Sequence, residues 1–536
     1  MSTTRSDAIG LVVGEATSTS FVLASTQEMC PSRLDYVAVR SRELVDGSLV
    51  NVEILAQVER VMASSDALKQ LINYDALRRI KQADLDDLRN YAAARVLGYL
   101  HPSRDEVLIP RRSIIPGTEV QIAPASLLDS FYSYSEDEAI HIGNLITRSE
   151  VDVSLDVSGF RRHTAIIAQT GAGKSYCAGV LIEELLERGG TVLVIDPHAD
   201  YALIGMDSEG ARHELSNRCL IFRNPASTGR YSEREVGNLE DYTIAFADLD
   251  NQEIFDIANV HQNFTRIRDT IENALRILRS ENDFFTPEDL VGNLQTQLDA
   301  ATSQRERTDL QSALRYARAM ARMRVFAQSS TSMDRILAPM QVSVLDLSGL
   351  DSISTDYVVS KLLRDVSSLL QAGDYSHPVF LVIEEAHNFI PPEANTRSSS
   401  IIKRIAGEGR KFGAFLVVIS QRPSKIHPDT LSQCNSQIIM KLTNPNDQDA
   451  IAKSSEMLSR DLLDNLPGFN PGEAVVLGPI TKAPVMIKIR ERRTREGGAD
   501  INVVEALRAA RREASIETTV DQDRQRTEPF DGTFGE

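Results

Sequence analysis

Apolar and polar positions alternate through most of the first sixty residues. IGLVVGEATSTSFVLAS and DYVAVRSRELVDGSLVNVEILAQVERV, within residues 8–62, carry β-branched side chains in alternation and are broken by Gly14, Gly47 and polar turns, the pattern of short, half-buried strands. Between 65 and 93 the spacing becomes helical, with Leu68, Leu71 and Ile72, then Leu85, Leu88 and Tyr91, on one face. AARVLGYL, EVLIP and GTEVQIAP return to strands. Residues 1–125 are therefore expected to form a small β-barrel with a helical excursion. A bridging segment, 126–162, follows.

From residue 163 strands and helices alternate. TAIIAQ is short and wholly apolar, as a parallel strand covered on both faces must be. The next helix places Ala178, Leu181, Ile182 and Leu185 on one stripe and stops at Gly189-Gly190. TVLVID, VSVLDLSGL (342–350), PVFLVIEEAH (378–387) and AFLVVISQRP (414–423) are further strands with polar carboxyl tips. This is a doubly wound α/β core over 163–490, with ligands expected at the carboxyl ends of the strands. Residues 250–335 carry almost no strand signal and read as a helical insertion. A basic cluster (Arg490, Arg492, Arg493, Arg495), one more helix near 501–514 and a polar, acidic tail make up the C-terminal extension, 491–536.

Composition narrows the setting. A chain of 536 residues exceeds one compact core and implies two to four domains. No apolar run is long enough to cross a membrane, and the N-terminus lacks the basic and apolar regions of a secretory signal. Cys30, Cys177, Cys219 and Cys434 are scattered without ligand spacing, so reduced thiols in a cytoplasmic protein are expected. The formal charge of −18 excludes a surface that is basic overall. Nucleic-acid contact must be local, or multiplied by symmetry.

The chemistry gathers around Ala168-Gln-Thr-Gly-Ala-Gly-Lys-Ser175, a phosphate-binding loop with alanine in place of its first glycine. Gly171 and Gly173 allow successive backbone N–H groups to turn toward phosphate oxygens, Lys174 neutralises the β- and γ-phosphates, and the Ser175 hydroxyl suits Mg2+. The helix that follows aims its positive end at the same place. Thr170, Gly171, Ala172, Gly173, Lys174, Ser175 and Tyr176, with Arg162 from just upstream, form the expected ATP-contacting set. Glu384 and Glu385 follow an apolar strand, the Walker B placement; the first is assigned to Mg2+, the second to the attacking water. Gln421 at the next strand tip suits a γ-phosphate sensor. Asp196 either joins the metal and water network or merely opens a turn before Pro197. His198 and His387 read as outer neighbours of the site or as structural residues rather than metal ligands, since no ligand pattern surrounds them. Arg410, placed beside the Gln421 strand near the nucleotide edge of the sheet, is the first choice for an arginine finger acting on a neighbouring subunit. Arg404 and the Arg161–Arg162 pair are the alternatives.

Together IHIGNL, RRHTAIIAQTGAGKS, VIDPHADY, VIEEAHNFIP, EGRKFGAFLVVISQRPSKI and ERRTREGG, in this order over nearly the whole chain, resemble the HerA family of the HerA/FtsK superfamily. The resemblance implies an N-terminal HAS-barrel, a RecA-like P-loop ATPase core and a homo-hexameric ring around double-stranded DNA, with a NurA-type nuclease as partner. It also implies Lys174 and Ser175 for phosphate and Mg2+, Glu384 and Glu385 as the Walker B pair, and Gln421 as sensor. Ala168 and Glu384, where aspartate is usual, depart from the pattern without removing a catalytic group. The function expected is ATP-driven translocation of duplex DNA for end resection. The alternative is an ATPase ring that assembles and regulates an effector enzyme in a defence complex.

Overall fold

Asp46 and Gly47 both adopt positive φ, 47° and 82°, the requirement of a two-residue hairpin turn that matches strand twist. They join Tyr36–Val45 to Ser48–Ser64, which pair from Tyr36 opposite Gln57 down to Val45 opposite Ser48. In this computed structural model, which describes residues 8–68, 73–83, 87–393, 396–455, 457–498 and 503–512, that hairpin forms part of a closed barrel. Its strands run Ser20–Ser25, Ala8–Val13, Glu119–Ile122, Tyr36–Val45, Ser48–Ser64 and Arg89–Leu100, and the last pairs back with the first. Phe21, Leu23, Val37, Val39, Ile54, Ala56, Val58, Ala92 and Val120 fill the interior.

The helical excursion is shorter than its periodicity suggests. Only Tyr74–Gln82, capped by Asn73, is a described helix. Tyr91 instead lies in Arg89–Leu100, paired with Ala24 on one side and Met62 on the other, and Leu88 is exposed. Leu71, Ile72 and Leu85 lie outside the described residues. Barrel closure overrides local spacing here, because Ser20–Ser25 and Ser48–Ser64 would otherwise expose unpaired edges. Ala92 and Ala94 alternate into the interior accordingly.

The core sheet has twelve strands in the order Leu239–Asp241, Cys219–Arg223, Val342–Asp346, Thr191–Asp196, Val379–Ile383, Ala414–Ser420, Thr164–Ile167, Ser436–Met440, Glu473–Leu477, Val485–Ile489, Ala139–Leu145 and Asp152–Asp156. The first eight are parallel and the last four antiparallel. Residues read as a bridge thus build the sheet's final two strands. The central parallel strands are buried at every position, which explains their unbroken apolar runs. Alternate residues feed two apolar clusters. One joins Leu193, Ile195 and Leu381 to Val358 of the helix Ser352–Ala372 and to Ile271 and Leu275 of the helix Thr265–Glu281. The other joins Val192, Val194 and Val382 to Leu181 and Leu185 of the helix Lys174–Glu187, and reaches Tyr36 and Leu55 of the barrel. The architecture is a RecA-like α/β core behind a small β-barrel. Helices Asn251–Ala258, Thr265–Glu281, Pro287–Ala300 and Gln304–Ala321 occupy the strand-poor region. Residues 497–536 are a separate compact unit, described only at its first two residues and at the exposed helical stretch 503–512.

His163 introduces the strand that leads into the phosphate-binding loop. The Leu416 N–H donates to Nδ1 at 3.0 Å and Nε2–H donates to the Ala406 carbonyl at 3.1 Å, so the neutral imidazole is fully used. Burial lowers its pKa to about 4. A histidine near 6.5 when unfolded takes up a proton before the folded form does, so stability falls as pH drops from about 6.5 toward 4. This one group is worth roughly 3 kcal/mol across that window. Urea unfolding at pH 7.5 and pH 5 should show the decline, and His163→Gln should flatten it. An equally steep decline in the variant would assign acid sensitivity elsewhere.

Candidate nucleotide site

Six residues separate the end of Thr164–Ile167 from the start of the helix Lys174–Glu187. Gly171 and Gly173 turn that loop at φ 76° and 97°, values that side-chain-bearing residues rarely adopt. Ala168 is fully buried, has no positive φ, and donates its N–H to the Ser420 carbonyl at 3.3 Å. Alanine therefore serves at this position without strain. The loop is pinned on its other side, where Gln169 donates to the Lys441 carbonyl and Gly472 donates to that of Ala172.

Lys174 opens the helix and points at the carboxyl end of Val379–Ile383. Its Nζ lies 2.5 Å from Glu384 Oε1 and 3.1 Å from Glu385 Oε1. Burial works against the ammonium, but the two carboxylates outweigh it and raise its pKa. Glu384 is completely buried, which raises its carboxyl against the pull of Lys174. The Tyr201 hydroxyl donates to its other oxygen at 2.7 Å. For Glu385, burial pushes upward, yet His387 and Lys174 prevail and hold it below the usual carboxylate range. His387 Nδ1 is 3.2 Å from Glu385 Oε2 and 3.2 Å from Ser420 Oγ. Glu385 has φ 48°, an uncommon backbone state that turns its side chain toward the loop.

Gln421 ties the two motifs together: its amide donates to Glu385 Oε1 at 3.0 Å, and the Thr170 hydroxyl donates to its carbonyl oxygen. Ser175 donates to Asp200 Oδ2 at 2.9 Å. Asp196 accepts from the backbone N–H groups of His198, Asp200 and Tyr201. Burial, with repulsion from Asp200, raises its pKa far above the ordinary value. It builds the turn that delivers Asp200 to Ser175 and Tyr201 to Glu384.

The Helicase HerA, central domain, family model matches residues 140–366. The chain is 30% identical to a probable helicase of Methanocaldococcus jannaschii, over 94% of each chain. It is 29% identical to the DNA double-strand break repair helicase HerA of Pyrococcus furiosus, over 96% of this chain and 99% of that one. The corresponding figures for the Saccharolobus solfataricus HerA are 30%, 90% and 92%. The chain belongs to the HerA helicase family.

In this member of the family several expected residues converge and others do not. Thr170, Lys174, Ser175, Glu384, Glu385 and Gln421 form one connected cluster. The Tyr176 hydroxyl is occupied from outside, accepting the Arg492 N–H at 2.6 Å. Arg162, Arg404 and Arg410 are exposed, and none of them takes part in the contacts of that cluster. Placing Arg410 near the nucleotide edge has to be corrected. It precedes Ala414–Ser420, whereas Gln421 follows that strand, so the whole strand, about 20 Å, separates them. Arg162 likewise precedes Thr164–Ile167. Both lie at the amino ends of parallel strands, and burial of His163 is felt with Arg410 close by. Asp200 and Tyr201 carry no signal of their own in VIDPHADY that separates them from turn residues; His387, expected to be an outer neighbour of the site or structural, stands beside Glu385.

Lys174→Ala should leave Glu384 buried beside a second carboxylate with no cation, a cost of about 3–5 kcal/mol. Urea unfolding should register that loss, and adding Glu384→Gln should recover much of it. Two independent, additive losses would mean that the pair is not coupled.

Proposed function

We propose that this chain is the subunit of an ATP-driven motor that moves double-stranded DNA through a ring of identical copies. The observation that supports it most is the hydrogen-bonded path Thr170–Gln421–Glu385–Lys174–Glu384, which links the phosphate loop to both Walker B carboxylates. The left-handed glycines and the Lys, Ser and Glu donor set fit a nucleotide triphosphate with Mg2+. Lys174 would hold the β- and γ-phosphates, and Ser175 and Glu384 the metal, whose charge supplies electrostatic stabilisation of the transferring phosphoryl group. Glu385, kept ionised by His387 and Lys174, accepts the proton of the attacking water. Gln421 contacts both loop and base, and so couples γ-phosphate occupancy to the position of Glu385.

A finger at the amino ends of the strands cannot serve its own chain's loop. Arg410, with Arg404 and Arg162 as alternatives, acts across a ring interface. Homo-hexameric assembly around duplex DNA and delivery of ends to a NurA-type nuclease complete the reading. Among the described residues no helix is long and apolar enough to cross a membrane. The names of the HerA relatives, double-strand break repair helicases, favour this over a defence scaffold.

ATP turnover with and without linear duplex DNA, on protein of measured assembly mass, tests the proposal: stimulation is expected, and indifference to DNA would favour the scaffold. Glu385→Gln should bind ATP but hydrolyse it at least about a hundredfold more slowly; if Glu384→Gln behaves that way and Glu385→Gln does not, the two roles are exchanged. Arg410→Ala should keep nucleotide affinity and assembly yet lose about 10³-fold in turnover. Mixed with Lys174→Ala it should regain some activity, and mixed rings with none would transfer the role to Arg404 or Arg162.

A further inference from the structure

The chain does not leave the core after Val485–Ile489. Arg490 pairs with Glu183 at 3.1 Å and Glu184 at 2.8 Å, and Arg493 pairs with Glu187 at 2.6 Å. The backbone N–H groups of Arg493 and Thr494 both donate to Glu183 Oε1. These carboxylates all belong to the helix that begins at Lys174. Residues 490–494 are thus strapped along the back of the phosphate-binding helix.

Within that strap Arg492 turns inward and is only 7% exposed. Its guanidinium donates to the Ser175 carbonyl (3.4 Å), Thr494 Oγ1 (3.0 Å) and the Arg495 carbonyl (3.2 Å). It also lies over the Tyr201 ring, 5.9 Å from its centre. The helix makes room for it with Gly179, where any Cβ would overlap the guanidinium. Among its hydrogen bonds no carboxylate is an acceptor. Glu183 and Glu496 lend it charge without accepting a hydrogen bond from it, and a cation held this deep mainly by carbonyls, a hydroxyl and a ring is a costly arrangement for packing alone. Its neighbours explain it. Ser175 carries the hydroxyl assigned to Mg2+, and Tyr201 holds Glu384 Oε2.

We propose that Arg492 is a positioning residue of the nucleotide site: one side chain from the C-terminal strap sets both the first turn of the loop helix, with Ser175, and the Tyr201 ring, with Glu384. The inference rests on assigning Ser175 and Glu384 to nucleotide-bound Mg2+. Its role is therefore specific to the metal-dependent part of binding.

The test is titration of the full chain with a fluorescent ATP analogue, in Mg2+ and in EDTA, alongside thermal unfolding. The unsubstituted chain should bind more tightly in Mg2+. Arg492→Lys should lose about tenfold of that Mg2+-dependent gain, the scale of other outer-shell substitutions, while its affinity in EDTA stays within about twofold. Arg493→Ala, which breaks an outer strap pair, should keep the full gain. Tyr201→Phe, which keeps the ring and removes only the hydroxyl on Glu384, should lose the gain as Arg492→Lys does; it carries the test if Arg492→Lys does not fold. An undiminished gain in whichever of these two variants folds would overturn the proposal, as would an equal loss in Arg493→Ala. Absence of binding by the unsubstituted chain in both conditions would instead overturn the site assignment itself.

Discussion

One buried ammonium between two carboxylates organises this protein. Glu384 and Glu385 sit at the carboxyl tip of a central strand, where apolar packing leaves little water to solvate them. Lys174 supplies positive charge to both, and His387 adds to it at Glu385. The lysine in turn can reach them only because two left-handed glycines swing the loop back over the sheet. Tyr201 donates to the second oxygen of Glu384, His387 lies beside the second oxygen of Glu385, and Gln421 shares the first oxygen of Glu385 with Lys174. The arrangement is an electrostatic necessity of burying those groups together.

Much of this was legible in the chain because its parts are consecutive. The phosphate loop, the Walker B pair and the strand tips each lie within a few residues of the apolar run that positions them, so adjacency in sequence reports adjacency in space. The doubly wound sheet was legible for the same reason: parallel strands buried on both faces leave unbroken apolar runs.

Contacts that depend on strand order or distant pairing were not legible. Asp200 and Tyr201 reach the site only through a turn built on a buried Asp196. Arg410 was placed beside the correct strand but at the wrong end, since neighbourhood in sequence does not say which edge of a sheet a loop decorates. Tyr91 kept helical spacing but was claimed by the barrel, whose closure needs a strand at that point. In each case a long-range constraint outweighed a local preference.

The strap also dictates an order of events during synthesis. Glu183, almost completely buried on the phosphate-binding helix, finds its arginine 307 residues later, and the strand preceding that arginine pairs with Ala139–Leu145. Until those last strands have emerged from the ribosome, the helix carries acidic groups with no counter-charge and the sheet has an open edge. The N-terminal barrel can close on its own contacts as soon as residue 122 is available. The ATPase core must wait for nearly the entire polypeptide. A chain that stops short of residue 490 would leave Glu183, Glu184 and Glu187 on that helix without the arginines that pair with them.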